Sequence, residues 1–129
     1  MTAREVFESV RRRSEEGVQR ARTITYSTLG SCSGLIVGIN GSYARREATT
    51  GSDLDLFFLY EGSDAKAANA AKAKLSPVLK DSGFKLPSVG GVFERPLSVE
   101  KLSTNIGGGF DDNETITRRM LLLLEGEWL

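Results

Sequence analysis

Two carboxylates at i and i+2, Asp53 and Asp55, interrupt an apolar run that continues through Leu56, Phe57, Phe58 and Leu59. Separated from Asp53 by ten residues, a small and flexible Gly41-Ser42 pair follows a second apolar run, Leu35 to Ile39. A strand repeats every two residues, so Asp53 and Asp55 project from one face. Acids side by side on a hydrophobic strand repel one another and resist burial unless a positive charge sits between them. A divalent cation meets that need.

Other chemistries are closed to this chain. It has no histidine and a single cysteine, Cys32, which excludes Ser-His-Asp triads, Cys-His pairs and zinc sites of the usual nitrogen and sulfur type. Cys32 reads as a small, semi-buried thiol. Lys and Arg number 17, as do Asp and Glu, so the net charge is zero and any contact with a polyanion must be local. A length of 129 residues, 40% hydrophobic and 26% charged, suits one globular domain. The chain opens without a charged-then-apolar leader, and the run Met120 to Leu124 is too short to cross a bilayer. A soluble, cytoplasmic protein that does not enter membranes is the expectation.

The elements that must position the acids follow from pattern. Thr2 and Glu5 form a capping box for an N-terminal helix over residues 2–22, with Val6, Val10, Gly17, Val18 and Ala21 at helical spacing. The run Arg11 to Arg13 lies within a turn of Glu8, Glu15 and Glu16 and reads as a solvated face. A core over about residues 33–96 holds a strand at Leu35 to Ile39, the loop, and a strand at Asp53 to Tyr60. An Ala- and Lys-rich helix capped by Ser63 comes next, interrupted or restarted at Ser76-Pro77 and stopped by Gly83. Its lysines read as a solvated exterior. A short strand is predicted at Val92 to Arg95, ended by Pro96. Helices fill residues 98–126, one capped by Ser98 and one by Asp111 or Asp112. On the last, Ile116, Met120, Leu123 and Leu124 share a face that should pack on the core. The apolar end, through Trp128 and Leu129, suggests an excised domain or a surface for an oligomer or partner.

The order strand, Gly41-Ser42, spacer, Asp53-Leu54-Asp55, strand resembles the nucleotidyltransferase superfamily that shares the DNA polymerase beta catalytic fold. Tyr43, Ala44, Arg45, Glu47 and Ser52 in the spacer resemble two branches, the minimal nucleotidyltransferases, some of them antitoxins, and the uridylyltransferase-like domains. Arg118 or Arg119 followed by Met120 to Glu125 looks like the helix after the catalytic core in the second branch. The resemblance implies an α+β fold, a small mixed or antiparallel sheet flanked by helices in the polymerase-beta-like palm arrangement. It implies that Gly41 and Ser42 hold a nucleoside triphosphate such as ATP, and that Asp53 and Asp55 bind Mg²⁺ or Mn²⁺. Arg45 or Arg46 would neutralise phosphate charge, though either could pair with Glu47. The third carboxylate usual in the superfamily falls to Glu94, in the last expected strand.

The activity so implied is metal-dependent transfer of a nucleoside monophosphate to a hydroxyl on a protein, a nucleic acid or a small molecule. The competing expectation is an antitoxin or nucleotide-sensing regulatory domain that acts by partner binding with little or no turnover.

Overall fold

Alternating side chains on two neighbouring strands build the centre of the molecule. In the computed structural model, which describes residues 1–129, β1 (Leu35–Asn40) and β2 (Asp55–Tyr60) pair antiparallel, from Leu35 opposite Tyr60 to Asn40 opposite Asp55. Long helices α1 (Ala3–Leu29) and α3 (Lys66–Asp81) cover one face. There Val37, Ile39, Leu54 and Phe58 meet Val18 and Ala21 of α1 and Ala71, Leu75 and Leu79 of α3. A second cluster joins Phe57 and Leu59 to Leu97, with Phe93, Val99, Leu102 and Leu122 packed against it. Each large side chain removed from water contributes roughly 1.5–3 kcal/mol.

The fold is α+β around a four-stranded mixed sheet of order β3-β2-β1-β4. Strand β3 (Leu97–Ser98) is parallel to β2, and β4 (Glu127–Trp128) is antiparallel to β1. Between them lie α4 (Val99–Ser103) and α5 (Asn113–Glu125), and α2 (Gly41–Ala44) follows β1. No helix is long and apolar enough to cross a membrane.

The caps of α1, α4 and α5 stand where the sequence puts them. Thr2 and Glu5 form the reciprocal box on α1, Ser98 Oγ accepts from Lys101 N–H at 3.2 Å, and Asp112 Oδ1 accepts from Thr115 N–H at 2.6 Å. Other boundaries differ from expectation. Helix α1 runs on past Arg22 to Leu29, because Thr23 and Ser27 hydroxyls donate to carbonyls one turn back and stay within the helix. Ala65 rather than Ser63 precedes α3, while Asp64 Oδ1 accepts from Lys66 N–H at 2.8 Å. Pro77 does not interrupt α3: it and Ala73 lie on the exposed side, where water can serve the carbonyl that loses its partner.

Val92 to Arg95 form a turn, and the strand begins only after Pro96, at Leu97. The expected core face of α5 is turned outward, with Leu123 85% and Leu124 76% exposed. Thr115, Arg119 and Leu122 lie on the covered side, Arg119 through an ion pair with Asp111. Cys32 is exposed, not semi-buried, and its thiol donates to the Leu29 carbonyl.

Strand β4 is held by charge as well as by backbone pairing. Arg46 donates to both carboxylate oxygens of Glu127, at 2.5 and 2.8 Å, and Arg22 Nη2 donates to Oε1 at 2.8 Å. The hydrogen bonds from Arg46, aided by the charge of Arg22, hold the Glu127 carboxyl below its ordinary pKa against the opposing effect of burial. In the acid window below that ordinary value the unfolded chain binds the extra proton, so stability rises with pH across it. Glu127→Gln should cost about 1–3 kcal/mol at neutral pH, the scale of hydrogen bonds to charged groups. Thermal melts should show the gap between variant and wild type closing as pH falls through the folded Glu127 pKa.

Candidate functional site

One end of the β1–β2 pair gathers the residues with chemistry. The register sets Asn40 opposite Asp55, so the chain leaves β1 into Gly41 where β2 begins. Gly41 has φ +73°, and a Cβ there would collide with Asp55 Oδ2 and lie 3.1 Å from Asp55 Cγ. Glycine is thus required twice, for the left-handed backbone and for close approach to the carboxylate. Tyr43 anchors α2 to α1: its ring lies over Gly17, where a Cβ would come within 2.6 Å of Cε1, and it meets Phe84 edge-on at 6.1 Å. Ser14, buried in α1, accepts from Ala48 N–H at 2.9 Å and so ties down the loop beyond.

Asp53 lies just outside the strand, which starts at Asp55 and not at Asp53 as expected. The reason is local: β1 has already turned away at Gly41, and Leu54 N–H donates to the Lys85 carbonyl at 2.7 Å. Leu54 is buried in the core, and Asp53 lies near enough for its charge to act on Asp55. Asp53 Oδ1 is buried without a hydrogen bond, and its nearest cation is the largely exposed Lys85 Nζ at 3.4 Å. Burial, then the negative charges of Asp53 and Glu125, raise the Asp55 pKa, while Arg45 only partly opposes them. A charge deficit of this kind is what a bound cation would fill, so the two aspartates suit one. No three acidic or sulfur side chains converge into a ready-made metal cage.

A cleft of about 400 Å³ opens beside Asp55. Asn40, Gly41, Asp55, Glu94 and Glu125 line it, along with Lys72, Ser76 and Lys80 from one side of α3 and Leu86, Val92, Phe93 and Leu121. Lys72 and Lys80, read from sequence as a solvated exterior, therefore face the cleft.

Two expected site residues, Glu94 and Arg46, stand differently. Glu94 is exposed in the turn before β3 and not on a strand, and its carboxylate accepts from Gly90 N–H at 3.0 Å, so it borders the cleft while capping its own loop. Arg46 has φ +64° and is committed to Glu127 and to the Tyr43 and Ala44 carbonyls. Arg45 stays at the site, with Nε donating to Glu47 at 2.9 Å and Nη1 pairing with Glu125. Ser42 is half-buried in α2 beside Gly41.

Nothing in the sequence reading singles out Glu125. Its carboxylate accepts from Gly41 N–H at 3.2 Å and from Arg45, and its charge acts on Asp55. The available signal was a carboxylate in the last turn of a leucine-rich helix, where the helix dipole disfavours negative charge.

Models of protein families, curated proteins and solved structures were compared with the chain. None of them matches it.

Two outcomes follow. Gly41→Ala should cost about 1–3 kcal/mol through backbone strain and the collision with Asp55, whereas Gly51→Ala, where an added Cβ meets nothing within 4 Å, should be near neutral in a denaturant titration. Asp55→Asn should stabilise the metal-free protein by about 1 kcal/mol, as relief of a strained functional site does. Because the folded Asp55 pKa is raised, wild-type stability falls as pH climbs from the ordinary aspartate value through the folded one. The advantage of Asn should grow over that window and disappear below it, and millimolar Mg²⁺ or Mn²⁺ should raise the melting midpoint of wild type alone.

Proposed function

We propose that this protein is a metal-dependent nucleotidyltransferase of the polymerase-beta-like kind, moving a nucleoside monophosphate from a nucleoside triphosphate to an acceptor hydroxyl. The observation that carries the reading is the meeting of Gly41 and Asp55. A backbone that only glycine can provide lies against a carboxylate with raised pKa, beside the buried and unbonded Asp53 Oδ1. The α+β sheet is compatible with this fold.

Asp53 and Asp55 would hold Mg²⁺ or Mn²⁺. When bound, such ions neutralise phosphate charge and polarise the attacking and leaving oxygens. The chain's own part is positioning. Gly41 lets the triphosphate approach the backbone, Ser42 adds a hydroxyl donor, and Arg45 supplies a guanidinium suited to phosphate oxygens. Lys72 and Lys80 add positive charge along the α3 side of the cleft, and Phe93 and Leu86 offer apolar surface for a base. The acceptor oxygen forms a bond to the α-phosphorus as the bond to pyrophosphate breaks, pyrophosphate takes the electron pair, and the hydroxyl proton is released to solvent. Fixing these groups in line lowers the barrier without covalent work by the protein.

A second reading, nucleotide binding with little turnover in a regulatory domain or antitoxin, is favoured by the placement of Glu94, whose carboxylate is spent on its own turn. Incubation with each α-labelled nucleoside triphosphate, Mg²⁺ or Mn²⁺ and protein, RNA or small hydroxyl acceptors separates the two. Label transfer with pyrophosphate release, lost by at least about a hundredfold in folded Asp53→Asn and Asp55→Asn, is expected for an electrostatic site. Equal labelling by wild type and both variants removes the metal assignment, and binding without pyrophosphate release selects the second reading.

A further inference from the structure

Glu125 occupies the two donors that the nucleotide reading assigns to phosphate. Gly41 N–H donates to its Oε1 and Arg45 Nη1 to its Oε2, and the side chain is only 14% exposed. A carboxylate and a phosphate use the same recognition here, a guanidinium and a backbone amide. A clamp needed only for structure would do better with a neutral acceptor, since a carboxylate at this point adds repulsion toward Asp55. It also stands at the unfavourable end of the α5 dipole. Arg45 has a second partner in Glu47, so it does not depend on Glu125 for charge compensation.

We propose that Glu125 is a built-in competitor for polyphosphate: its carboxylate fills the Gly41 and Arg45 anion site of the ligand-free protein and is displaced from both donors when the phosphates of a nucleoside triphosphate bind. This rests on the reading of Gly41 and Arg45 as phosphate donors. Glu125 then acts as a positioning and specificity residue. A weak or singly charged anion gains too little from the two donors to displace a tethered carboxylate, whereas a polyphosphate that also reaches Lys72 and Lys80 gains more.

The test is calorimetric titration of the full chain with inorganic tripolyphosphate in the presence of a chelator. Glu125→Gln, shown folded by circular dichroism, should bind about tenfold or more tightly than wild type, the scale of one charged hydrogen bond. Adding Arg45→Gln to that variant should remove the gain. Equal or weaker binding by folded Glu125→Gln overturns the proposal, as does a lack of tripolyphosphate binding by both proteins. Wild type gives an independent measurement, since saturating tripolyphosphate should shift the Glu125 side-chain carboxyl ¹³C resonance, and an unmoved resonance overturns the proposal even where the variant does not fold. Tighter tripolyphosphate binding by Glu125→Gln, with no label transfer from any nucleoside triphosphate, supports this competition while removing the transferase reading.

Discussion

Negative charge crowded at one end of a sheet is the constraint around which the rest of this molecule is arranged. Asp53, Asp55, Glu125 and Glu127 all come to the end where β1 turns into α2. Two of them are compensated from within, Glu125 by Arg45 and Glu127 by Arg46 and Arg22, while Asp53 has only the largely exposed Lys85. Asp55 forms no such pair, and its proton affinity is raised. The helices, the loop anchored by Ser14 and Tyr43, and the short outer strands all hold this one unpaired carboxylate beside Gly41, where the charge of Arg45 offsets its neighbours only in part. A fold selected only for stability would relieve that repulsion; under the proposed function a bound cation would do so instead.

The arginines divide this labour. Arg45 and Arg46 are neighbours in sequence, yet the left-handed backbone at Arg46 sends them to different tasks. Arg46 turns away to fasten Glu127 and with it β4, whereas Arg45 pairs with Glu125, a residue that lines the cleft. The charge that fastens β4 and the charge that pairs with Glu125 thus sit on adjacent residues, separated by one unusual dihedral. On the other side of the cleft, the alternation of α3 places Leu75 and Leu79 in the core and leaves Lys72, Ser76 and Lys80 facing the same space as Asp55.

Much of this was legible in the chain because it depends on local rules. The capping residues Thr2, Ser98 and Asp112, the two apolar runs and the i, i+2 spacing of the aspartates each carry their own signal. What escaped depends on distant partners. Strands β3 and β4 are two residues each, and they pair because β2 and β1 are already there. The Thr- and Ser-rich end of α1 looks like a loop until Thr25 is seen to be buried. The apolar periodicity of α5 named the wrong face, because Thr115 and an ion-paired Arg119 take the covered side. Glu94 was chosen for sitting in a strand expected over Val92 to Arg95, and the strand instead begins at Leu97. Glu125 acquires meaning only through Gly41, 84 positions away.

That separation bears on how the molecule is made. The chain up to Asp81 can form α1, the β1–β2 hairpin and α3 by comparatively short-range contacts, but the pairing of Gly38 with Trp128 and of Ile39 with Glu127 closes a loop of about 90 residues. Contacts of such high order form late and slow the final step of folding. During synthesis on the ribosome, then, the hairpin carrying Gly41, Asp53 and Asp55 emerges before Glu125, and its anion-binding corner stays open until the last helix and strand arrive to close it.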